Sequence, residues 1–478
     1  MTTGPGESRV QPTHDDAVVA TLSESVGGPA GVHGGRHPWW TPVRVVLALT
    51  AICFALGMVQ KASCYEASWR DGEERYTHMC YSDLPYLYTG RGLAERAWPY
   101  SSDDQTRARY DVMEYPVVIS YAAWGAAWVT HGLRGFPDLE ARYAMPADEL
   151  TGAATVVEES RLFVVVNAIG FAAAALLSAW LLTRVNPRRP WDAAIFALSP
   201  VLALTALVNW DLLAVTCVAG ALWAWARERP LLTGVLIGLG VATKLYPLFL
   251  LGGLLVLCLR HRRLPDFLTA TVAAAATWLV VNLPAWLTGR EQWQVFWSFN
   301  ADRQADLGSV WLVISQASGT AISATTINNV SLLVFAAWCA AVLVLGLRAP
   351  VSPRLAQLGL LVVAGFLLVN KVYSPQYVLW LLPLAVLARP RWRDQLVWQS
   401  GEVLYFACVW WYLGGHLDAA GGGDAGFYWL AILVRVAAEL YLCAVVARDV
   451  LRPDHDPVDR ELRPGRQLMT TRSNAVAV

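Results

Sequence analysis

Apolar runs of about twenty residues or a little less, the length of a membrane-spanning helix, recur from Val43 to Ala447 and leave room for few other architectures. The pattern predicts spans near 43–58, 162–183, 192–208, 212–226, 231–243, 245–259, 267–283, 327–347, 355–369, 377–388, 397–414 and 427–447. The expected fold class is therefore all-α, a polytopic integral membrane protein with about 12 transmembrane helices. A hydrophobic content of 56%, only 15% charged residues and a mean hydropathy of +0.40 agree, being too apolar for an ordinary soluble enzyme. The formal net charge is zero and no basic tract is interleaved with aromatics, so a nucleic-acid partner is set aside.

The arginines orient these spans. Arg188 and Arg189, Arg227 and Arg229, Arg260 to Arg263, Arg348 and Arg354, Arg389 to Arg393, and Arg448 with Arg452 alternate with arginine-poor turns, as cytoplasmic loops require. On this topology 1–41 is a disordered cytoplasmic tail, rich in Gly, Pro, Ser and Thr and without the charged-then-apolar start of a signal peptide. Residues 42–448 form the transmembrane domain and 449–478 a cytoplasmic C-terminal tail. Both termini face the cytoplasm, residues 60–161 form a first external loop, and 285–326 form a second. The run 115–129 is apolar enough to span, but the arginine alternation lays it along the membrane surface, with Trp124 and Trp128 at the interface. A true span with an unusual arginine distribution is the alternative.

Three of the 37 basic residues are lysines, and the same topology puts Lys61, Lys244 and Lys371 all on the external side. Lys61, at the end of the first span, reads as an interfacial anchor. Lys244 in Thr243-Lys244-Leu245-Tyr246-Pro247 and Lys371 in Asn370-Lys371-Val372-Tyr373-Ser374-Pro375-Gln376-Tyr377 interrupt apolar stretches beside tyrosine and proline. Ammonium groups with the hydroxyls of Tyr246 and Tyr373 suit a lipid-linked phosphate, because tyrosine bridges apolar and wet surroundings. Arg303 adds a third positive group or pairs with Asp302 or Asp306.

Acids complete the set. Asp83, in Cys80-Tyr81-Ser82-Asp83-Leu84-Pro85, is a candidate general base toward a hydroxyl, and the competing reading makes Ser82 or Asp83 a helix N-cap. Glu114 and Tyr115, where the interfacial run begins, and Asp211, in Asn209-Trp210-Asp211, are candidates for positioning substrate or plain helix starts. Arg435 and Glu439 read as an ion pair four apart. Glu402 has no assignable partner. Gly234, Gly238 and Gly240 read as close helix packing. Six cysteines lie in apolar stretches, whereas Cys64 and Cys80 share a polar loop and form either a disulfide or two free thiols. No CxxC, HExxH, Walker or GxGxxG pattern occurs, so no cofactor or metal site is expected, although a divalent metal is left open.

These motifs, in this order, resemble the actinobacterial family 87 glycosyltransferases of the GT-C superfamily. The likeness rests on the acid in the long first loop, the surface helix opening with Glu-Tyr-Pro, and the stretches Asn-Trp-Asp-Leu-Leu-Ala, Lys-Leu-Tyr-Pro and Asn-Lys-Val-Tyr-Ser-Pro-Gln-Tyr, and runs from Val43 to Ala447. The resemblance implies a GT-C transmembrane catalytic domain on the outer side of the cytoplasmic membrane, transferring a sugar, typically mannose, from polyprenyl phosphate. The acceptor would be a cell-envelope glycolipid or polysaccharide. It implies Asp83 as the base of an inverting displacement, and Lys244 and Lys371 as holders of the departing phosphate. Gln376 stands where some related mannosyltransferases carry histidine, so a proton role there is not carried over, leaving Gln376 a positioning candidate. A transporter or flippase of a lipid-linked sugar would use the same lysines and is the rival reading. Acids at span ends, not deep in the bundle, favour the transferase.

Overall fold

The computed structural model describes residues 16–26, 39–69, 72–417 and 425–461, which form helices and connecting segments with no strand among them. The principal helices are α1 (Pro42–Gln60), α2 (Asp83–Gly90), α3 (Val117–Leu133), α4 (Ala154–Val185), α5 (Asp211–Ala226), α6 (Pro230–Thr243), α7 (Leu250–His261) and α8 (Leu264–Thr288). They continue with α9 (Arg290–Asp302), α10 (Val310–Ser318), α11 (Ala324–Arg348), α12 (Leu355–Val369), α13 (Val378–Ala388), α14 (Trp392–Leu413) and α15 (Gly426–Leu451). Among the described residues, α1, α4, α8, α11 and α15 are long and apolar enough to cross a membrane, and five shorter apolar helical stretches lie between them.

Two expectations change. The anticipated span at 192–208 is broken into Pro190–Ala193, Ala194–Ala197 and Pro200–Thr205, because prolines at 190 and 200 cannot continue a hydrogen-bonded ladder and Ser199 caps a new start by accepting from Leu202 N. The C-terminal boundary also moves, since α15 runs to Leu451 and residues 453–461 fold back, with Asp456 accepting from Arg354 and Gln357. At the other terminus Ala17–Val26 is helical and Asp16 accepts from Trp392 N; the rest of 1–38 lies outside the described residues.

Helix α4 has 32 residues, about 48 Å at the usual rise, against a hydrocarbon core of about 30 Å. The helix is longer than that layer is thick, and in its first turns Glu159 accepts from Tyr88 Oη at 2.9 Å and from Arg142 at 2.7 Å. That anchors the long segment between α1 and α4 to the bundle. The α6 glycines allow backbone contact with α8: a Cβ on Gly234 would stand 2.1 Å from the Ala270 carbonyl oxygen, and one on Gly238 would stand 2.3 Å from that of Ala274. Gly240 instead faces Pro247 and Cys217.

The arginine-rich helix ends are knit together by ion pairs. Arg389 meets Asp394 and Asp449, each at 2.7 Å, and Arg189 meets Asp192 at 2.8 Å, all with little exposure. The arginines that orient the sequence therefore also close one end of the bundle. Asp83, Lys244 and Lys371 lie at the opposite helix ends.

Candidate active site

Residues 78–81 are tied to the end of α1 before Asp83 is reached. Cys64 and Cys80 form a disulfide, and Gln60 Nε2 donates to the carbonyls of His78 and Met79 at 3.1 and 2.8 Å. Lys61 is buried and donates to the Tyr81 carbonyl at 3.0 Å, so it is a clamp on this segment and not the interfacial anchor expected. Ser82 takes the N-cap role by accepting from Leu84 N, which leaves the Asp83 carboxylate, in the first turn of α2, free for other contacts.

Those contacts come from two segments distant in sequence. Asp83 Oδ2 accepts from Asn209 Nδ2 at 2.5 Å and from Tyr115 Oη at 3.2 Å, while Asn209 Nδ2 also donates to Tyr115 Oη at 2.9 Å. The Asp83 backbone N–H donates to the Val208 carbonyl at 2.9 Å. Burial pushes the Asp83 carboxyl above the ordinary carboxylate range, against the hydrogen bonds of Asn209 and Tyr81, the Lys244 charge and the Tyr115 hydroxyl. Burial and the Asp83 charge push Tyr115 well above its ordinary value, so its hydroxyl stays protonated and donates. Asp83 itself keeps partial exposure. The group that can take up a proton here is the carboxylate.

Tyr115 also forms part of the wall of a cavity of about 400 Å³, with Glu114, Lys244, Phe296, Trp297, Phe299, Arg303, Phe366, Asn370, Lys371, Tyr377 and Trp380 among the other lining residues. The size suits a small-molecule headgroup. The breaks that supply its lysines have plain local causes: α6 ends at extended Lys244 just before Pro247, and α12 ends at extended Asn370 shortly before Pro375. Lys244 Nζ lies 5.0 Å from the centre of the Tyr115 ring and 3.4 Å from Asp211 Oδ2. Lys371 Nζ donates to Asn328 Oδ1 at 2.7 Å and to the Ala301 carbonyl at 3.2 Å, both neutral acceptors. Burial and the neighbouring Arg303 charge pull the Lys371 amine below its ordinary value, so an anion in the cavity would relieve it.

Residues 154–370 match the model of glycosyltransferase family 87. Over that stretch the chain is similar to family 87 glycosyltransferases. It is thus a sugar-transferring enzyme, and its apolar helices make it a multi-pass membrane protein. No curated protein matches the chain. The matched stretch carries Asn209, Asp211, Lys244 and Arg303, whereas Asp83, Glu114, Tyr115 and Lys371 flank it on either side.

In this glycosyltransferase several expected site residues take other places. Tyr373 does not reach the cavity; it is buried and its hydroxyl donates to both Glu402 oxygens, at 3.1 and 3.0 Å, supplying the partner Glu402 lacked in the sequence. Tyr246 is also buried away from the cavity, its ring stacked on Trp380 at 4.6 Å. Asp211 is fully buried and serves as the counter-ion of Lys244, with its Oδ1 accepting from Trp380 Nε1 at 2.6 Å. Gln376 is buried off the cavity wall with its side-chain oxygen unpaired among the described residues. Glu114 lines the cavity but is bound by Arg91 at 2.6 Å, and Arg303 lines it while paired with Asp306 at 2.6 Å. Sequence reasoning missed Asn209 as a direct partner of Asp83, although its place in Asn209-Trp210-Asp211 was a pointer. It also missed the aromatic wall from α9, Tyr377 and Trp380, which nothing in the local sequence distinguishes from membrane-anchoring aromatics.

Proposed function

We propose that this enzyme transfers a sugar, mannose in the first instance, from polyprenyl phosphate to a hydroxyl of a cell-envelope glycolipid or polysaccharide, on the outer face of the cytoplasmic membrane. The observation that carries the reading is one cavity combining Lys244, Arg303 and Lys371 with an aromatic wall, adjoining Asp83 through Tyr115. Positive charge beside aromatic surface suits a phosphate attached to an apolar chain. A partly exposed carboxylate held in place by Asn209, Tyr115 and Tyr81 suits a base that meets an incoming hydroxyl from its exposed side.

The step follows from that arrangement. Asp83 accepts the acceptor hydroxyl's proton as its oxygen bonds to the anomeric carbon, and the bond from that carbon to the phosphate oxygen breaks. The electron pair leaves with polyprenyl phosphate, and the negative charge growing there meets Lys371, Lys244 and Arg303. A single displacement inverts the anomeric centre. Glu114, held by Arg91 at the cavity wall, orients a sugar hydroxyl. Helix α3 lies along the membrane surface as a lid over this end of the bundle.

The test is to incubate membranes containing the enzyme with labelled polyprenyl-phosphate mannose and follow the label. It should pass to a glycolipid or polysaccharide, and Asp83→Asn should stop transfer at unchanged protein level. Label that stays on the donor, or an Asp83→Asn rate equal to wild type, would sink the reading.

A further inference from the structure

The cations Arg303 and Lys371 stand on separate chain segments that are buckled together. Asp306 N donates to the Lys371 carbonyl at 2.8 Å and Tyr373 N donates to the Leu307 carbonyl at 2.7 Å, two rungs that pair 306–307 with 371–373 directly behind the cavity wall. The bundle interior grips this pairing from beneath. Tyr405 Oη donates to the Tyr373 carbonyl at 2.5 Å, and Gly308 N donates to Tyr428 Oη at 3.0 Å.

Arg435 of α15 joins both segments at once. Its guanidinium carbon lies 3.7 Å from the centre of the Tyr373 ring, one terminal nitrogen donates to the Gly308 carbonyl at 3.2 Å, and the other donates to Glu439 Oε2 at 2.9 Å. Gly308 has φ +69°, and a Cβ there would stand 2.1 Å from Tyr405 Oη and 2.5 Å from the Tyr373 carbonyl oxygen, so the buckle closes only around glycine. Glu402, Arg435 and Glu439 are all buried, and none lines the cavity. Ionisable groups buried in a membrane bundle are costly, which asks for a role beyond filling space.

We propose that Arg435 is a positioning residue that locks the 306–308 and 371–373 segments together and so sets the separation of Arg303 and Lys371 that grips the lipid-linked phosphate. The ligand in this proposal rests on the donor reading above; the buckle itself rests on the contacts. Arg435→Lys keeps the charge opposite Glu439 but cannot span ring, carbonyl and carboxylate together. Gly308→Ala attacks the same buckle from the loop side.

The probe is sugar-free decaprenyl phosphate, titrated into the purified enzyme and read by quenching of tryptophan fluorescence, since Trp297 and Trp380 line the cavity. Each variant should weaken binding about tenfold, as expected for ligating groups moved by a fraction of an ångström. On a Lys371→Met background Arg435→Lys should weaken it by clearly less than on the wild-type background, because part of its effect runs through Lys371. Unchanged binding in both variants, independent effects in the double variant, or no binding by wild type would overturn the proposal. Tight binding of decaprenyl phosphate without any transfer of mannose would instead leave the buckle standing and count against the transfer reading alone.

Discussion

Lys244 is the residue whose replacement separates a ligand-binding role from a structural one, because its counter-ion is known. Lys244 Nζ and Asp211 Oδ2 are 3.4 Å apart with side chains 8% and 0% exposed. At an effective dielectric of about 20 that separation corresponds to an attraction of about 5 kcal/mol. Removing one partner of a buried pair typically costs about 3–5 kcal/mol, because the remaining charge is stranded. Lys244→Met should therefore lower the thermal midpoint of the detergent-solubilised enzyme markedly as well as its activity. Asp211→Asn on top of Lys244→Met removes the stranded charge while keeping an acceptor for Trp380 Nε1, so stability should return to within about 1 kcal/mol of wild type. Activity should not return, since the positive charge facing the departing phosphate is still missing, a loss of about 10²-fold or more in kcat/KM. The assays are thermal unfolding followed by tryptophan fluorescence and transfer from labelled polyprenyl-phosphate mannose. A double variant with wild-type kinetics would reduce Lys244 to a counter-ion for Asp211, and a fully stable Lys244→Met would refute the burial argument.

The Asp83 carboxyl is held above its ordinary range, so the acid limb of kcat/KM should lie above about pH 4, the value of a free aspartate. A base works only when deprotonated, so activity falls as pH drops through that raised value, and Asn209→Ala, which removes a hydrogen bond favouring the carboxylate, should move the limb further up. A limb that moves down, or does not move, contradicts the assignment of Asn209. Reducing the Cys64–Cys80 disulfide should lower kcat severalfold and Lys61→Met should add to the loss, because both release the segment leading into Asp83; activity indifferent to reductant in both proteins would remove the clamp from the argument. Gly132→Cys, at the exposed end of α3, should react with an impermeant thiol reagent added outside the cell, and labelling only from the cytoplasm would overturn the surface placement of that helix.

Most helices were legible because an apolar run of sufficient length has one economical solution in a bilayer, and α1, α4, α8, α11 and α15 follow their runs closely. The segment 192–208 was not, because hydropathy is blind to where the ladder breaks; Pro190 and Pro200 carried that information and were outweighed by the apolar residues around them. The arginine alternation likewise concealed a second duty, since Arg189 and Arg389 mark one side of the sequence and also neutralise buried aspartates. In the candidate site, the Arg435–Glu439 pair was readable from its spacing of four, whereas the Arg435 contact with Gly308 joins positions far apart in the chain and has no local signature. Tyr246 and Tyr373 misled because adjacency to a lysine says nothing about which way a ring points. Both rings pack inside the bundle, Tyr246 on Trp380 with its hydroxyl unpaired among the described residues, and Tyr373 against Glu402 and Arg435.

What distinguishes the two ends of the molecule is the fate of each positive charge, not its presence. At the arginine-rich end Arg189, Arg354 and Arg389 each face an aspartate within ion-pair range, and the charges are spent on closing the bundle. At the cavity Lys244 has Asp211 and Arg303 has Asp306, while the hydrogen-bond acceptors of Lys371 among the described residues are an amide oxygen and a backbone carbonyl, with the Arg303 charge adding to its burden and the Asp302 charge relieving part of it from outside ion-pair range. A buried ammonium left with neutral acceptors gains more from an incoming anion than one already paired, because no existing ion pair has to be broken first. Lys371→Met should therefore weaken donor binding more than Lys244→Met does when the latter is corrected with Asp211→Asn. The reverse order, measured with the same decaprenyl phosphate titration, would mean that the phosphate sits on the Tyr115 side of the cavity and displaces Asp211 from its lysine.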